Sequence, residues 1–497
     1  MSNSSMGYPK VTAELLSLVP EQYRNKCGMN WNEKNQRFYV FLRGGYRYDP
    51  DRKRSIDIRE PLGSIQNQKF TYSPSFLKKQ KIEQLQDQVT NLSSKVLGVG
   101  EKQLEAAQKL AQTMEDPRQE AKVQFPLPVV LAVSLLSSMA GQSSAVSIAT
   151  YWRKFHDVLS QLFDNFPEAD ISHDTINRIF RLIKKECMTE LLSKLAGELI
   201  TQAEHRVIGI DGQAVKASKT DKLDNGRYIF NAYDATNGLV LTHLLIDEKG
   251  NEITHCEDLV RALDLKPGDI ITADAMNTQT KLVDALPEGV LYCLAVKENQ
   301  PNLSSEIRHL FAVTDESRFR EYASVDAGHG RIENRRYRVL PSSLLSPGFK
   351  RRWKGLNQGC LVEVTDISEA KSQRARNSSF TRYFISSSPY DRPDCPQFMG
   401  SIVRKHWSIE NNLHWQLDVS FTQDRIQCSD SNYLLNRVAL NKIALNSLKR
   451  VQKILKEKHG EQVAINTLQF MCSDPVNALN AIIMAEALKP ETADVKA

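Results

Sequence analysis

The segment between residues 205 and 300 carries the pattern that most constrains the fold. It opens with three runs of β-forming residues separated by turn signals, "RVIGID", "RYIFNAYDA" and "LVLTHLLID". Two helix-like runs then alternate with two strand-like runs, in the order "HCEDLVRALDL", "DIITADA", "TQTKLVDAL" and "GVLYCLAVK". Three consecutive strands followed by alternating helices and strands predict an α/β domain with a mixed sheet flanked by helices.

Two aspartates occupy matching places in this pattern. Asp211 follows the first apolar run, and Asp274 follows the fourth strand. If the first and fourth strands are neighbours, the two carboxylates come close together, which is unfavourable unless a cation lies between them. Hard oxygen ligands suit Mg²⁺ or Mn²⁺. Each aspartate alone is better explained as a turn residue, but for the pair the two interpretations are evenly matched.

A third acid is needed to hold two ions, and Glu410 in "VRKHWSIENNLHWQLDVSFTQD" is the candidate. Ile409 and Leu413 are four residues apart, which predicts a helix that packs on the sheet and projects Glu410. His406 and His414 raise zinc as an alternative, but the HExxH pattern is absent and zinc is disfavoured. A β-rich, arginine-rich insertion over residues 301–398 fills the gap between the second and third acids.

Composition narrows the class of protein. The 497 residues are 41% apolar and 25% charged, which indicates a globular chain of several domains. The net charge of +6 permits a nucleic-acid partner without requiring one. The longest apolar stretch, "LPVVLAVSLLSSMAG", is shorter than the roughly 20 residues of a membrane span, so we predict a buried helix and no membrane partner. Eight scattered cysteines without a CxxC pair suit a reducing cytoplasm.

The ordered motifs of the chain resemble those of one family. The motifs are "IGIDG", "NGLVLTHLLIDEKGNEIT", "IITADAM", "LAVKENQP", "HGRIENR" and "HWSIENNLHWQLDVSFTQD". Over residues 126 to 450 the chain resembles bacterial insertion-sequence DDE transposases of the ISAs type, which include the H-repeat-associated proteins. The resemblance implies a ribonuclease-H-like catalytic domain in which Asp211, Asp274 and Glu410 bind two Mg²⁺ or Mn²⁺ ions. It also implies that water cleaves the element end and that the resulting 3′ hydroxyl attacks target DNA.

The resemblance extends to domains, partners and location. It implies double-stranded DNA as partner (terminal inverted repeats and target DNA), a homodimer in the synaptic complex, and a bacterial cytoplasmic, nucleoid-associated protein. A short heptad seam at 82–96 is equally compatible with dimerisation and with packing inside one domain. The expected divisions are a β-rich basic module (1–77), a helical linker (78–125), a helical accessory domain (126–204), the catalytic domain (205–300 and 399–450), the insertion (301–398) and a helical tail (451–497).

Eight further residues are candidate DNA contacts: Lys297, Asn299, Gln300, His329, Arg331, Arg404, His406 and Trp407. His406 stands where the wider group has the arginine of a Tyr-xx-Arg-xxx-Glu-xxxxxx-Lys signature, and Val403 and Leu417 replace its tyrosine and lysine. Because of this departure, the sequence does not predict how the DNA strands are processed or whether a hairpin intermediate forms. For Trp407, core packing is favoured over base stacking. Two other functions stay open: a ribonuclease-H-like nuclease or junction resolvase, and a domesticated, inactive DNA-binding protein.

Overall fold

The protein is described by a computed structural model that covers residues 10–49, 54–81, 116, 118, 123–163, 166–200, 205–219, 226–246, 252–328, 331–370, 378–428 and 430–487. The chain forms two compact units, Met1–Leu92 and Ser93–Ala497. The heptad seam at 82–96 and His329 lie outside the described residues.

The N-terminal unit is a four-stranded antiparallel sheet in the order β1-β2-β3-β4. Its strands are β1 (Cys27–Asn32), β2 (Arg37–Asp49), β3 (Arg54–Gln66) and β4 (Lys69–Tyr72), preceded by a short helix, Ala13–Ser17. A small apolar core that includes Phe38, Val40, Leu62 and Phe76 holds the unit together. Alternation along β2 places Phe38 and Val40 on the core side, as a half-buried strand requires.

The second unit is built on a nine-stranded sheet in the order β10-β11-β12-β13-β9-β8-β5-β6-β7. The strands are β5 (Val207–Val215), β6 (Arg227–Asp234), β7 (Leu239–Ile246), β8 (Ile270–Ala273), β9 (Leu291–Val296), β10 (Arg320–Gly328), β11 (Arg331–Pro341), β12 (Cys360–Ala370) and β13 (Ser378–Ser386). The first three pair antiparallel, while β8 pairs parallel with β5 and β9 parallel with β8. This order and these directions are those of a ribonuclease-H-like domain, so the predicted fold class is confirmed.

The insertion does not form a sheet of its own. Its strand β13 pairs antiparallel with β9, from Tyr383 opposite Val296 to Ser386 opposite Cys293. Strands β12, β11 and β10 then continue the ladder outward. The insertion therefore extends the sheet that carries the acids. Its outer strands, β10 and β11, belong to the same nine-stranded sheet as β5 and β8.

Helices cover the second unit on both sides of the sheet. They are Leu127–Met139, Ala145–Lys154, His156–Leu162, His173–Leu182, Lys185–Leu199, Glu252–Arg261, Thr280–Asp284, Pro301–Val313, Pro347–Arg352, Cys395–Ile409, Trp415–Ser420, Ser431–His459, Ile465–Met471 and Pro475–Ala487. The predicted buried helix is confirmed, since nearly all of Leu127–Met139 is inaccessible to solvent. Among the described residues, no helix is both long and apolar enough to cross a membrane.

Two apolar cores lie on opposite faces of the nine-stranded sheet. Ile208 and Ile210 of β5 belong to one core, and Val207 of the same strand belongs to the other. Helix Cys395–Ile409 supplies Met399 and Ile402 to the second core. A strand that is buried on both faces reads as a continuous apolar run, which explains the sequence "VIGI" before Asp211.

Candidate active site

Asp211 and Asp274 lie on adjacent parallel strands at the same level of the sheet. The last paired residues of β5 and β8 are Ile210 and Ala273, and each aspartate is the next residue along its chain. The prediction that the first and fourth strands are neighbours is thus confirmed. Asp211 does not end its strand, however: β5 continues to Val215 because its residues keep pairing with β6. Asp211 is thus a mid-strand residue at the point where its other neighbour, β8, stops.

Glu410 projects from the end of helix Cys395–Ile409, where the chain makes a single π-helical turn over Glu410–His414. Ile409 and Leu413 are buried, while the Glu410 side chain is 73% exposed. Its helix packs across β5 and β8, the strands that carry the two aspartates. Such a turn widens the helix by one residue and is frequent at functional sites. Both Glu410 and His414 face the aspartates as a result.

Asp211, Glu410 and His414 form one cluster, and Asp274 and His406 lie beside it. One oxygen of Asp211, one oxygen of Glu410 and one nitrogen of His414 lie within 4.8 Å of one another. His414 Nδ1 is 3.1 Å from Glu410 Oε2 and 3.6 Å from Asp211 Oδ2. On the other side, His406 Nε2 is 3.2 Å from Asp274 Oδ1. His414 therefore bonds to Glu410 and His406 bonds to Asp274, and each of these carboxylates retains a second oxygen that could coordinate a cation.

The pKa values of the acids reflect this arrangement. Burial raises the pKa of Asp211 to about 6, and the negative charge of Asp274 adds to the effect although His414 opposes it. The hydrogen bond from His406 lowers the pKa of Asp274, and the charges of Lys297 and Arg382 lower it further. The hydrogen bond with His414 lowers the pKa of Glu410. Asp211 is thus the acid whose ionised form gains most from a bound cation, because its carboxylate is buried and lies near the negative charge of Asp274.

The donor set fits a hard divalent ion. Asp211 and Glu410 offer carboxylate oxygens of the kind that Mg²⁺ and Mn²⁺ prefer, and His414 is the third side chain within reach of the same ion. Asp211 is mostly shielded from water, whereas Asp274 and Glu410 are open on the solvent side, with side chains 59% and 73% exposed. Asp274 and Glu410 are therefore accessible from outside, while β5 holds Asp211 from within.

His406 has two internal partners. It is buried, with Nδ1 3.0 Å from Thr272 Oγ1 and Nε2 bonded to Asp274. Both ring nitrogens are therefore engaged and the side chain orients Asp274, while its contact with phosphate stays a prediction. Thr272 was not foreseen from the sequence, because nothing in "IITADAM" distinguishes it from any other strand residue.

Asn299 and Gln300 also have internal partners. The Asn299 amide donates to the carbonyl oxygen of Ala275, and Gln300 Nε2 donates to the carbonyl of Thr278 at 3.1 Å. Both amides thereby brace the turn that follows Asp274, and their contact with phosphate or base stays a prediction. The neighbouring Lys297 is exposed and lies near enough to Asp274 to influence its pKa.

Arg404 and Trp407 lie beside the cluster on the helix that carries Glu410. Arg404 forms an ion pair with Asp326 at 3.2 Å and is 45% exposed. Trp407 is half-buried against the second core, and the guanidinium of Arg382 stacks on its ring at 4.2 Å from the centroid. These contacts agree with core packing, which is the role that the sequence favours for Trp407. Arg331 begins β11, at the outer part of the sheet.

Several arginines of the insertion are neutralised within the sheet. Arg335 is buried and pairs with Asp326, Glu333 and Asp366. Arg336 and Arg338 of β11 pair with Glu321 on β10, Glu363 on β12 and Glu316 just before β10. The count of arginines in this region therefore overstates the positive charge that a DNA backbone would meet.

Comparison with known proteins agrees with the motifs and with the fold. Residues 202–447 match the family described as "Transposase DDE domain", and residues 109–196 match the one described as "DDE_Tnp_1-associated". The Escherichia coli K12 protein "Putative protein YbfL" is 30% identical over 339 residues, which cover 67% of this chain and 87% of that protein. The chain belongs to the DDE transposase family.

Other family members include the E. coli K12 "H repeat-associated putative transposase YhhI", which is 29% identical and covers 67% of this chain and 87% of its own length. A cryo-EM structure of the piggyBac transposase synaptic complex with hairpin DNA aligns at a TM-score of 0.38 and 13% identity, covering 81% of this chain and 82% of that one. Membership makes this protein a DNA transposase, a nucleic-acid-processing enzyme whose DDE domain implies dependence on divalent metal. The cluster around Asp211 is the candidate site for that metal.

Proposed function

We propose that this transposase cuts DNA at the ends of its insertion sequence and joins the freed 3′ ends to target DNA. The observation that carries the proposal is the convergence of Asp211, Asp274 and Glu410 at one place, although they are far apart in the chain. Acids that influence one another's pKa, on a rigid sheet and open on one side, suit metal-assisted chemistry on phosphodiesters.

In this proposal Asp211, Asp274 and Glu410 are the catalytic triad and hold two Mg²⁺ or Mn²⁺ ions. When bound, such ions activate the attacking water or hydroxyl and stabilise the leaving oxygen. His406 and His414 hold Asp274 and Glu410 by hydrogen bonds, so the carboxylates are oriented before any ligand arrives. Asp211 accepts the backbone N–H of Gly212 at 2.9 Å, which fixes its position as well.

The substrate in this proposal is double-stranded DNA, both as terminal inverted repeats and as target. Lys297 and Arg382 bring positive charge to the side of Asp274, where a phosphate would enter. Arg404 and Trp407 on helix Cys395–Ile409 and Arg331 at the start of β11 remain proposed DNA contacts. His329, which lies outside the described residues, remains a proposed contact as well. Since two element ends must be paired before they are joined, we propose that the protein acts as a homodimer.

The test uses purified full-length protein with DNA that carries the terminal inverted repeats bracketing its open reading frame. Wild-type protein should nick or cut the repeat ends in Mg²⁺ or Mn²⁺ and should join them to a target plasmid. Asp211→Asn, Asp274→Asn and Glu410→Gln should each abolish both products. Asp284→Asn is the control, because it makes the same change at an exposed helix position away from the cluster.

The products separate the alternatives. Cleavage that persists in the Asp211→Asn and Asp274→Asn proteins would remove the acids from the mechanism. Nicked ends without joined products would instead indicate a nuclease. Retention of DNA binding without cleavage in either metal would indicate an inactive DNA-binding protein.

A further inference from the structure

A chain of buried side chains lies behind Glu410. Lys442, in the middle of helix Ser431–His459, is fully buried, and its Nζ is 2.5 Å from Oδ1 of Asn231. Asn231 lies on β6, directly opposite Asp211, and its Nδ2 is 3.3 Å from His414 Nε2. His414 Nδ1 in turn reaches Glu410. The chain thus connects a helix of the C-terminal region to the third acid.

The orientation of the Asn231 amide follows from its surroundings. Its oxygen faces the Lys442 amine, which is a donor, and its nitrogen also lies 3.3 Å from the carbonyl oxygen of Ile229. Exchanging the two amide atoms would set the amide oxygen against the carbonyl oxygen of Ile229, which has no hydrogen to donate. Asn231 therefore presents an N–H group to His414.

This orientation decides which nitrogen of His414 carries the hydrogen. Nε2 must accept from Asn231, so in the neutral ring the hydrogen is on Nδ1. The Nδ1–H group then donates to Glu410 and lies close to Asp211. A ring nitrogen that carries a hydrogen has no lone pair for a metal. His414 is thus a donor to the carboxylates, and the ligands are left as oxygen atoms, which favours Mg²⁺ or Mn²⁺ over zinc.

We propose that Lys442 and Asn231 are positioning residues that hold His414 as the Nδ1–H tautomer and so fix Glu410 beside Asp211 for metal binding. The inference rests on the proposed function, because it assigns supporting residues to that same metal site. Hydrogen bonds of this kind orient ligating side chains, and their loss commonly costs about 10- to 100-fold in metal affinity.

The burial of Lys442 supports a role in positioning. An amine without access to water is costly, and burial lowers the pKa of Lys442 well below its ordinary value. A methionine of similar length would fill the same space at less cost, as buried charged groups can often be replaced by apolar ones without loss of stability. Lys442→Met should therefore fold, and it removes the donor that orients Asn231.

Two variants test the chain of bonds. Lys442→Met removes its first donor. Asn231→Asp places an accepting carboxylate against His414 Nε2, so that both ring nitrogens face acceptors and the ring should carry a hydrogen on each. Asn441→Leu is the matched control, because Asn441 is the fully buried neighbour of Lys442 and makes no side-chain hydrogen bond within the described part of the chain.

The first readout is ¹⁵N NMR of histidine-labelled, metal-free full-length protein, with the His414 signals assigned by their loss in His414→Gln. The wild type and Asn441→Leu should show a hydrogen on Nδ1 and none on Nε2, and Asn231→Asp should show a hydrogen on both nitrogens. The second readout is Mn²⁺ binding followed by electron paramagnetic resonance. Lys442→Met should bind Mn²⁺ about 10- to 100-fold more weakly than wild type, and Asn441→Leu equally well.

A hydrogen on Nε2 of His414 in the wild type would overturn the inference. So would an unprotonated Nε2 in Asn231→Asp, or Mn²⁺ affinity in folded Lys442→Met that equals the wild-type value. The NMR measurement needs neither DNA nor metal, so it is independent of the proposed reaction. Cleavage by the Asp211→Asn protein would defeat the proposed function alone, whereas the wrong tautomer in an active wild type would defeat only the role of Lys442 and Asn231.

Discussion

Asp211→Asn should stabilise the metal-free protein while it abolishes activity. The Asp211 side chain is 21% exposed, and burial raises its pKa to about 6 from an ordinary value of 3.8. A tenfold change in proton affinity corresponds to about 1.4 kcal/mol, so the ionised carboxylate costs the fold at most about 3 kcal/mol. Asparagine has the same shape, carries no charge, and keeps an oxygen to accept the Gly212 N–H group.

The direction of the pH dependence follows from the raised pKa. The contribution of Asp211 to stability is fully present below pH 3.8 and is lost as the pH rises through about 6, because the folded state binds the proton more tightly. The asparagine variant has no such loss. Its advantage over wild type should therefore be up to about 3 kcal/mol at pH 7.5, smaller at pH 5, and no more than about 0.5 kcal/mol near pH 4.

Urea denaturation in EDTA at these three pH values measures the difference, with Asp284→Asn as the exposed control. A second series with saturating Mg²⁺ should raise the stability of the wild type, because a ligand that binds only the folded state stabilises it. The asparagine variant should gain little. The reasoning would be refuted if Asp211→Asn were no more stable than wild type at pH 7.5, or if its advantage were the same at pH 5.

Three further predictions concern the surroundings of the acids. His406→Gln should raise the pKa of Asp274 towards its ordinary value, because the histidine hydrogen bond is the main cause of its lowering. As the pH is lowered, the variant should therefore lose Mn²⁺ binding at a higher pH than wild type, and an unchanged pH profile of Mn²⁺ binding would contradict this. Arg206→Met should lower the unfolding free energy by about 3–5 kcal/mol in urea denaturation, since it leaves the buried Asp269 carboxylate without its ion-pair partner, and a loss below about 1 kcal/mol would argue against the pair. Trp353→Ala should cost a similar 3–5 kcal/mol by the same assay, because the fully buried indole would leave a cavity in the main core, and a near-zero effect would mean that the site can collapse.

Local patterns in the sequence determined the central part of the fold and the position of its acids. The apolar runs of β5 and β8 each lead directly to an aspartate, and the order of strands and helices predicts that these two strands are neighbours. The spacing of Ile409 and Leu413 predicts the helix that carries Glu410. These features are readable because burial on a sheet or helix face imposes a short, regular period on the sequence.

The tertiary structure decided how those acids are supported. His406 binds Thr272 across 134 positions, and Lys442 reaches Asn231 across 211. The attachment of β13 to β9 and the ion pairs that neutralise Arg335 are likewise set by pairing between distant strands. None of these contacts has a local period, because hydrogen bonds and ion pairs depend on where packed elements place side chains in space. The sequence therefore determined which acids meet, and only the packing of the elements decided which side chains orient them.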